Sequence, residues 1–167
     1  MPTSFFHGVT VTLIDTGPRP IAIPSSSIIG LVDTYTPAEG LAEPNKPILL
    51  TSHREAVKQF GAGSALAKSA RGIYAQSSAV VVAIGVPLDA DAAALTSAII
   101  GGVTVDGQRT GMQALLDGKS VHNAQPRLIV CSGHSATQAV ASAMDGLSAK
   151  LKAIAIVDGP NTDDEAA

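Results

Sequence analysis

Tryptophan is absent, aromatic residues make up only 3% of the 167 residues, and there is a single cysteine, Cys131. One cysteine excludes an internal disulfide. Its place inside the apolar run Arg127-Leu-Ile-Val-Cys131 reads as a small buried hydrophobe in a reducing compartment, not as a reactive thiol. Charge is scarce as well, at 15% against about 25% in an average soluble domain. A surface so lightly charged suits a subunit partly covered by neighbours. The net charge is -3, with acids and bases interleaved and no cluster of Lys or Arg. The electrostatic footprint needed to hold a phosphate backbone is missing, so nucleic acid is not an expected partner. No apolar run reaches the roughly 18 residues of a membrane span, so membrane insertion is not expected either. The start, Met1-Pro2-Thr3-Ser4-Phe5-Phe6-His7, has neither the basic nor the long apolar region of a signal peptide, which places synthesis and folding in the cytosol.

What is present is an ordered series of short apolar runs. Val9, Val11 and Leu13 alternate with threonines over residues 9–14, the period-2 pattern of a half-buried strand. Pro18, Pro20 and Pro24 follow, and chain without these N–H donors must run extended along an edge or a surface. Residues 1–24 therefore read as an extended N-terminal arm, and residues 25–167 as one α/β unit. Within that unit, strands are expected at 27–33, 47–51, 79–86, 127–131 and 153–157, with a loop over 34–46. The unbroken run Ala79-Val-Val-Val-Ala-Ile-Gly-Val86 suits a strand covered on both faces, and Ala153-Ile-Ala-Ile-Val157 reads as another buried strand.

Helices are expected between these strands. Ser52 and Glu55 have capping-box spacing and Gly61 ends that helix; Ser64 caps the next, with Leu66, Ala70, Ile73 and Tyr74 on one face. Asp89 and Asp91 open a third, carrying Leu88, Ala92, Leu95 and Ile99 at helical spacing and stopped by Gly101-Gly102. Thr110 and Gln113 have capping-box spacing for a short helix closed by Gly118. Val140, Met144, Leu147 and Leu151 mark a longer one from about 136 to 150. Strands alternating with amphipathic helices predict a mostly parallel sheet flanked by helices. At the far end, Thr162 and Glu165 have the spacing of a helix start, from which we expect the natural protein to be longer.

Chemistry-bearing motifs are few. Gly133-His134-Ser135-Ala136-Thr137 lies between a strand and a helix, where a nucleophile elbow would sit, but Thr137 replaces the final glycine and all four histidines (His7, His53, His122, His134) precede Ser135. Ser135 and Gln138 also fit a capping box, which accounts for the serine without catalysis. Gly61-Ala-Gly63-Ser-Ala-Leu66 lacks the third glycine of a dinucleotide loop and does not follow a strand directly. Asp158, Asp163, Asp164 and Glu165 do not match a calcium loop, and the histidines show no metal-ligand spacing. No catalytic residue, cofactor or metal is assigned. The enzyme reading that remains as an alternative is a small α/β hydrolase or nucleotide-binding enzyme.

Read in order, His7-Gly8-Val9, Gly17-Pro18-Arg19-Pro20-Ile21, Ser27-Ile-Ile-Gly-Leu-Val32, Pro47-Ile-Leu-Leu-Thr51, Phe60-Gly61, Val80-Val-Val82, Ile99-Ile-Gly-Gly102, Thr110-Gly111, Ala114-Leu115-Leu116, Pro126-Arg127-Leu128 and Val157-Asp158-Gly159-Pro160 form a set. That set resembles the N-terminal portion of contractile tail sheath proteins of temperate myophages and R-type pyocins. The resemblance implies a subunit about twice this length with a subtilisin-like core, alike in fold only. It also implies hexameric rings stacked helically around a tail tube above a baseplate, assembled in the bacterial cytoplasm. Chain-end arms then add strands to neighbouring subunits. The arm segment here would be Val9, Thr10, Val11, Thr12, Leu13 and Ile14. Contraction of such a lattice drives the tube through a bacterial envelope without a nucleotide, mostly by rigid-body rearrangement.

Overall fold

The two longest apolar runs become neighbouring central strands. β1 (Ile28–Tyr35) and β3 (Val80–Pro87) pair in parallel, from Ile28 opposite Val80 to Tyr35 opposite Pro87. The computed structural model describes residues 28–38 and 40–159, so the 9–14 strand, the proline-rich stretch and the helix start at Thr162 lie outside the described residues. Among the described residues the strand order is β2-β3-β1-β4-β5. β4 (Leu128–Cys131) and β5 (Ile154–Ile156) continue the parallel sheet, while β2 (Pro47–Leu50) is antiparallel on the opposite edge. The fold is mixed α/β with a mostly parallel sheet, and β1 runs two residues into the expected loop.

Crossovers to opposite faces of the sheet explain the layering. The chain moves from β1 to β3 through α1 (His53–Phe60) and α2 (Ala65–Gln76), whose Phe60, Leu66 and Ala70 cover Leu31, Val81 and Ala83 on one face. It then travels in the opposite direction through α3 (Ala92–Ile100), a 3-10 helix (Gly111–Asp117), α4 (Gly118–His122) and α5 (Gln138–Leu151). Ile99, Met112, Leu115, Val140, Met144 and Leu147 from these segments cover Val32, Val82, Ile84 and Ile129 on the other face. The α5 stripe is buried as its spacing requires, at Val140, Met144, Leu147 and Leu151.

Two close approaches fix the packing. Tyr35 and Phe60 meet edge to face, with ring centroids 5.2 Å apart at 84°, directly over Gly85. A Cβ there would come within 2.6 Å of both rings. Gly101 (φ +67) and Gly111 (φ +55) lie backbone to backbone, and a Cβ on Gly101 would stand 1.9 Å from the Thr110 carbonyl oxygen. Left-handed backbone and contact this close admit only glycine.

Local signals hold at three helix starts. Ser52 accepts from the Glu55 amide, Ser64 from that of Ala67 and Asp91 from that of Ala93. The Glu55 carboxylate reaches back to the Thr51 amide and hydroxyl, one residue earlier than in a standard capping box. Elsewhere the structure differs from the expectation. Thr110 makes no side-chain cap; its hydroxyl accepts from the Gly102 amide, and the segment after it winds as a 3-10 helix. Gly118 does not close that helix but leads into α4, which ends at Asn123 in the left-handed region. Leu88 stands exposed in the loop before α3 and takes no part in its apolar face. β5 is an exposed edge, not a buried strand.

Candidate functional site

In a doubly wound sheet, ligands gather at the carboxyl ends of strands where the connections diverge to opposite faces. β1 and β4 are such a pair, since the chain leaves β1 toward the α1 and α2 face and leaves β4 toward the α5 face. Asp33, Cys131, His134 and Ser135 sit there, with Ser69 contributed by α2 and Asp158 by the segment after β5.

Asp33 is 2% exposed, and its two oxygens are occupied: one accepts from the Thr34 amide at 2.7 Å, the other from the Ser69 hydroxyl at 2.6 Å. Burial pushes its carboxyl above the ordinary range, against the opposing pull of the two hydrogen bonds and nearby His134. Cys131 is buried, and desolvation, reinforced by the Asp33 charge, pushes its thiol up to about 12. A thiol held in that state is protonated at neutral pH and a poor nucleophile. Its reading as a small core hydrophobe agrees with this environment.

Ser135 corrects the capping-box expectation. Its hydroxyl donates to Asp158 at 2.7 Å and accepts from the Asp158 amide at 3.2 Å, while the N-cap of α5 is Thr137, without a side-chain bond. Ser135 thus pins the chain leaving β5 against the turn before α5. A catalytic serine needs its hydroxyl open to substrate and handed to a base. This one is 2% exposed and donates to a carboxylate. Among the described residues, no group of three or more His, Cys, Asp or Glu is placed to hold a metal. No helix of the described residues is long and apolar enough to cross a membrane.

The surface carries more information than this cluster. Val103 bridges Arg109 in a small hairpin, closed by the Thr104 amide on Gln108 and the Gly107 amide on Thr104. Val105 at its turn is fully exposed. The Arg109–Asp117 ion pair ties the hairpin to the 3-10 helix, beside a groove of about 400 Å³ that reaches Lys46, Pro47 and Val121. On the opposite side of the sheet, Ile154 and Ile156 are 66% and 50% exposed. The expected inter-subunit segment, Val9 to Ile14, lies outside the described residues. Neither the hairpin nor the open β5 edge is among the features expected from the sequence; the Val103-Thr-Val-Asp-Gly107 run, with its Asp-Gly turn signal, could have indicated the hairpin.

Comparison with known proteins bears on the whole chain. A family model described as the tail sheath protein Gp18 domain III N-terminal region matches residues 26–86. A prophage major tail sheath protein of Pseudomonas aeruginosa (strain UCBPP-PA14) is 59% identical over 98% of this chain and 43% of its own length. The tail sheath protein of Escherichia phage P2 is 33% identical over 93% of this chain and 41% of its own. The major tail sheath protein of Serratia phage KSP20 is 30% identical over 92% and 40%. The chain thus spans less than half the length of these relatives. A chain from the contracted anti-feeding prophage baseplate superposes with a TM-score of 0.49 at 16% identity, covering 89% of this chain and 37% of that one, too distant to bear on the assignment. The match to three sheath proteins along nearly the entire sequence, with the family model inside it, places this chain in the phage tail sheath family.

Proposed function

We propose that this chain is part of a structural subunit of a contractile tail sheath, which polymerises around a tail tube and contracts to drive the tube through a bacterial envelope. The observation that carries this reading is the 59% identity to a prophage major tail sheath protein over 98% of the chain. The subunit acts without catalysis or a cofactor. The occupied Asp33, the buried neutral Cys131 and the Ser135 hydroxyl turned to Asp158 support that, since each of these three groups already serves the packing.

In this reading the assembly is a helical array of hexameric rings, with the tube and baseplate as partners, built in the bacterial cytoplasm and working in a virion or pyocin tail. Residues 25–167 belong to an α/β core of the subtilisin-like kind, alike in fold only, and residues 1–24 form an arm whose Val9 to Ile14 strand joins a neighbouring subunit's sheet. The alternation of Val9, Val11 and Leu13 with threonines supports the arm, because β-augmentation joins subunits through main-chain hydrogen bonds while one face packs. Electron microscopy of the full-length subunit tests the proposal. Tubular polymers are expected under conditions that polymerise known sheaths; amorphous or monomeric material alone would overturn it. Val11→Pro in the full-length subunit should abolish tubes while leaving the folded monomer intact, because proline removes a ladder donor.

A further inference from the structure

We propose that the outer edge of β5 and the bare face of β4 and β5 are an internal seam, to which the rest of a longer subunit adds a strand and an apolar cover. The inference rests on the reading of this chain as part of a sheath subunit.

Side chains alternate along β5. Ala155 turns to the face that α5 covers, while Ile154 and Ile156 turn to the face of α1 and α2. Those two helices pack over β3 and β1 and leave Ile154 and Ile156 at least half bare, beside partly buried Leu128 and Val130. Parallel sheets are ordinarily covered on both faces. Among the described residues the outer edge of β5 pairs with no strand, and it is equally unguarded, because Ala153-Ile-Ala-Ile-Val157 carries no charge and no proline, the usual protections of a terminal strand. The other edge of the sheet is guarded. β2 begins at Pro47, whose carbonyl oxygen lies 2.8 Å from the His122 Nε2 of α4. One edge is therefore finished, and the other has the composition of an interior strand.

The occupant is indicated by length. This chain covers 43%, 41% and 40% of three sheath relatives, so a full subunit has more than enough polypeptide to supply a strand and its cover. A neighbour's arm would supply a strand alone, whereas this seam also needs an apolar cover over Ile154 and Ile156, which points to the rest of the same chain.

Backbone hydrogen exchange on the full-length subunit, kept monomeric by dilution, tests the seam. The Ile154 amide donates to Arg127 in the strand β4 ladder, so the alternation turns the Ala155 amide outward. The Ala155 amide should exchange about a hundredfold or more slowly relative to an unstructured peptide. Exchange at the unprotected rate would overturn the proposal, and protection arising only on polymerisation would assign the seam to a second copy. Protection already present in the 167-residue chain would assign the cover to residues outside those described. In the full-length subunit, Ile154→Asp with Ile156→Asp should lower the melting temperature far more than Leu88→Asp, since Leu88 is 60% exposed but outside the sheet. Equal small shifts would count against the seam. If the double variant does not fold, the Ala155 measurement on the unaltered subunit decides. Ala155 protection without tubular polymers would keep the seam and remove the sheath reading.

Discussion

On the β2-β3-β1 side of the sheet, Leu31, Val81 and Ala83 lie with Phe60, Leu66 and Ala70, while Val82 and Ile84 lie with Ile99, Met112 and Leu115. On the β4-β5 side, Ile129 and Ala155 are covered by α5, but Ile154 and Ile156 face outward. The same kinds of residue build both sides; only the second layer differs. Apolar composition therefore states that a strand will be covered, but not by what.

The largest expected effects come from breaking that contrast directly. Leu66→Ala, on the doubly covered side, should cost about 2–5 kcal/mol because it leaves a cavity the neighbouring helix cannot fill. Ile156→Ala in the same 167-residue chain should change stability by about 0.5 kcal/mol or less, as for a surface substitution. Urea unfolding of the two variants measures both, and comparable losses would mean the β5 face is covered after all. Next in size is Gly85→Ala. The new methyl meets the Phe60 and Tyr35 rings at 2.6 Å, and overpacking of a filled core costs about 1–3 kcal/mol. The expected result is an earlier urea midpoint with an unchanged slope.

Asp33 gives a smaller, pH-dependent effect. Its carboxyl is raised above 3.8, mainly by burial, so the folded state holds that proton more tightly than the unfolded chain. Asp33 therefore favours folding most below its unfolded pKa, and this contribution is lost as pH rises through the folded value. His134, Ser69 and Thr34 face it and oppose the shift without reversing it. Asp33→Asn retains a group that can accept from Thr34 and donate to Ser69. The variant should gain stability over wild type as pH is raised from about 4 to about 7. Denaturant midpoints across that range check the sign, and a gain at the acid end would contradict it.

Local chemistry is the legible part of this fold. Ser52, Ser64 and Asp91 mark helix starts that the structure reproduces, and the stripe from Val140 to Leu151 is buried as spaced. Ser135 departs from its sequence reading because a capping box is a signal within about four residues, whereas Asp158, the partner it takes, lies 23 positions away. Gly101 and Gly111 are legible as breaks but not as a pair, since nothing local announces that one backbone will rest on the other. Ile154 and Ile156 read as buried because their composition belongs to an interior strand. Of the candidate site, the inertness of Cys131 is readable from its apolar run, while Asp33 and Ser69 meet only through the crossover from β1 to α2.

The smallest expected effect sets one glycine against another. Gly146 lies inside α5, where an added methyl would have no neighbour within 4 Å, and it faces solvent beside buried Leu147. Gly146→Ala therefore meets no steric cost and removes backbone freedom from the unfolded chain, which should stabilise by about 0.5–1 kcal/mol. The substitution is the one that destabilises at Gly85, so the opposite sign isolates long-range packing from helix propensity. Thermal unfolding of both variants measures it, and a loss at Gly146 would mean that another segment packs over the exposed face of α5.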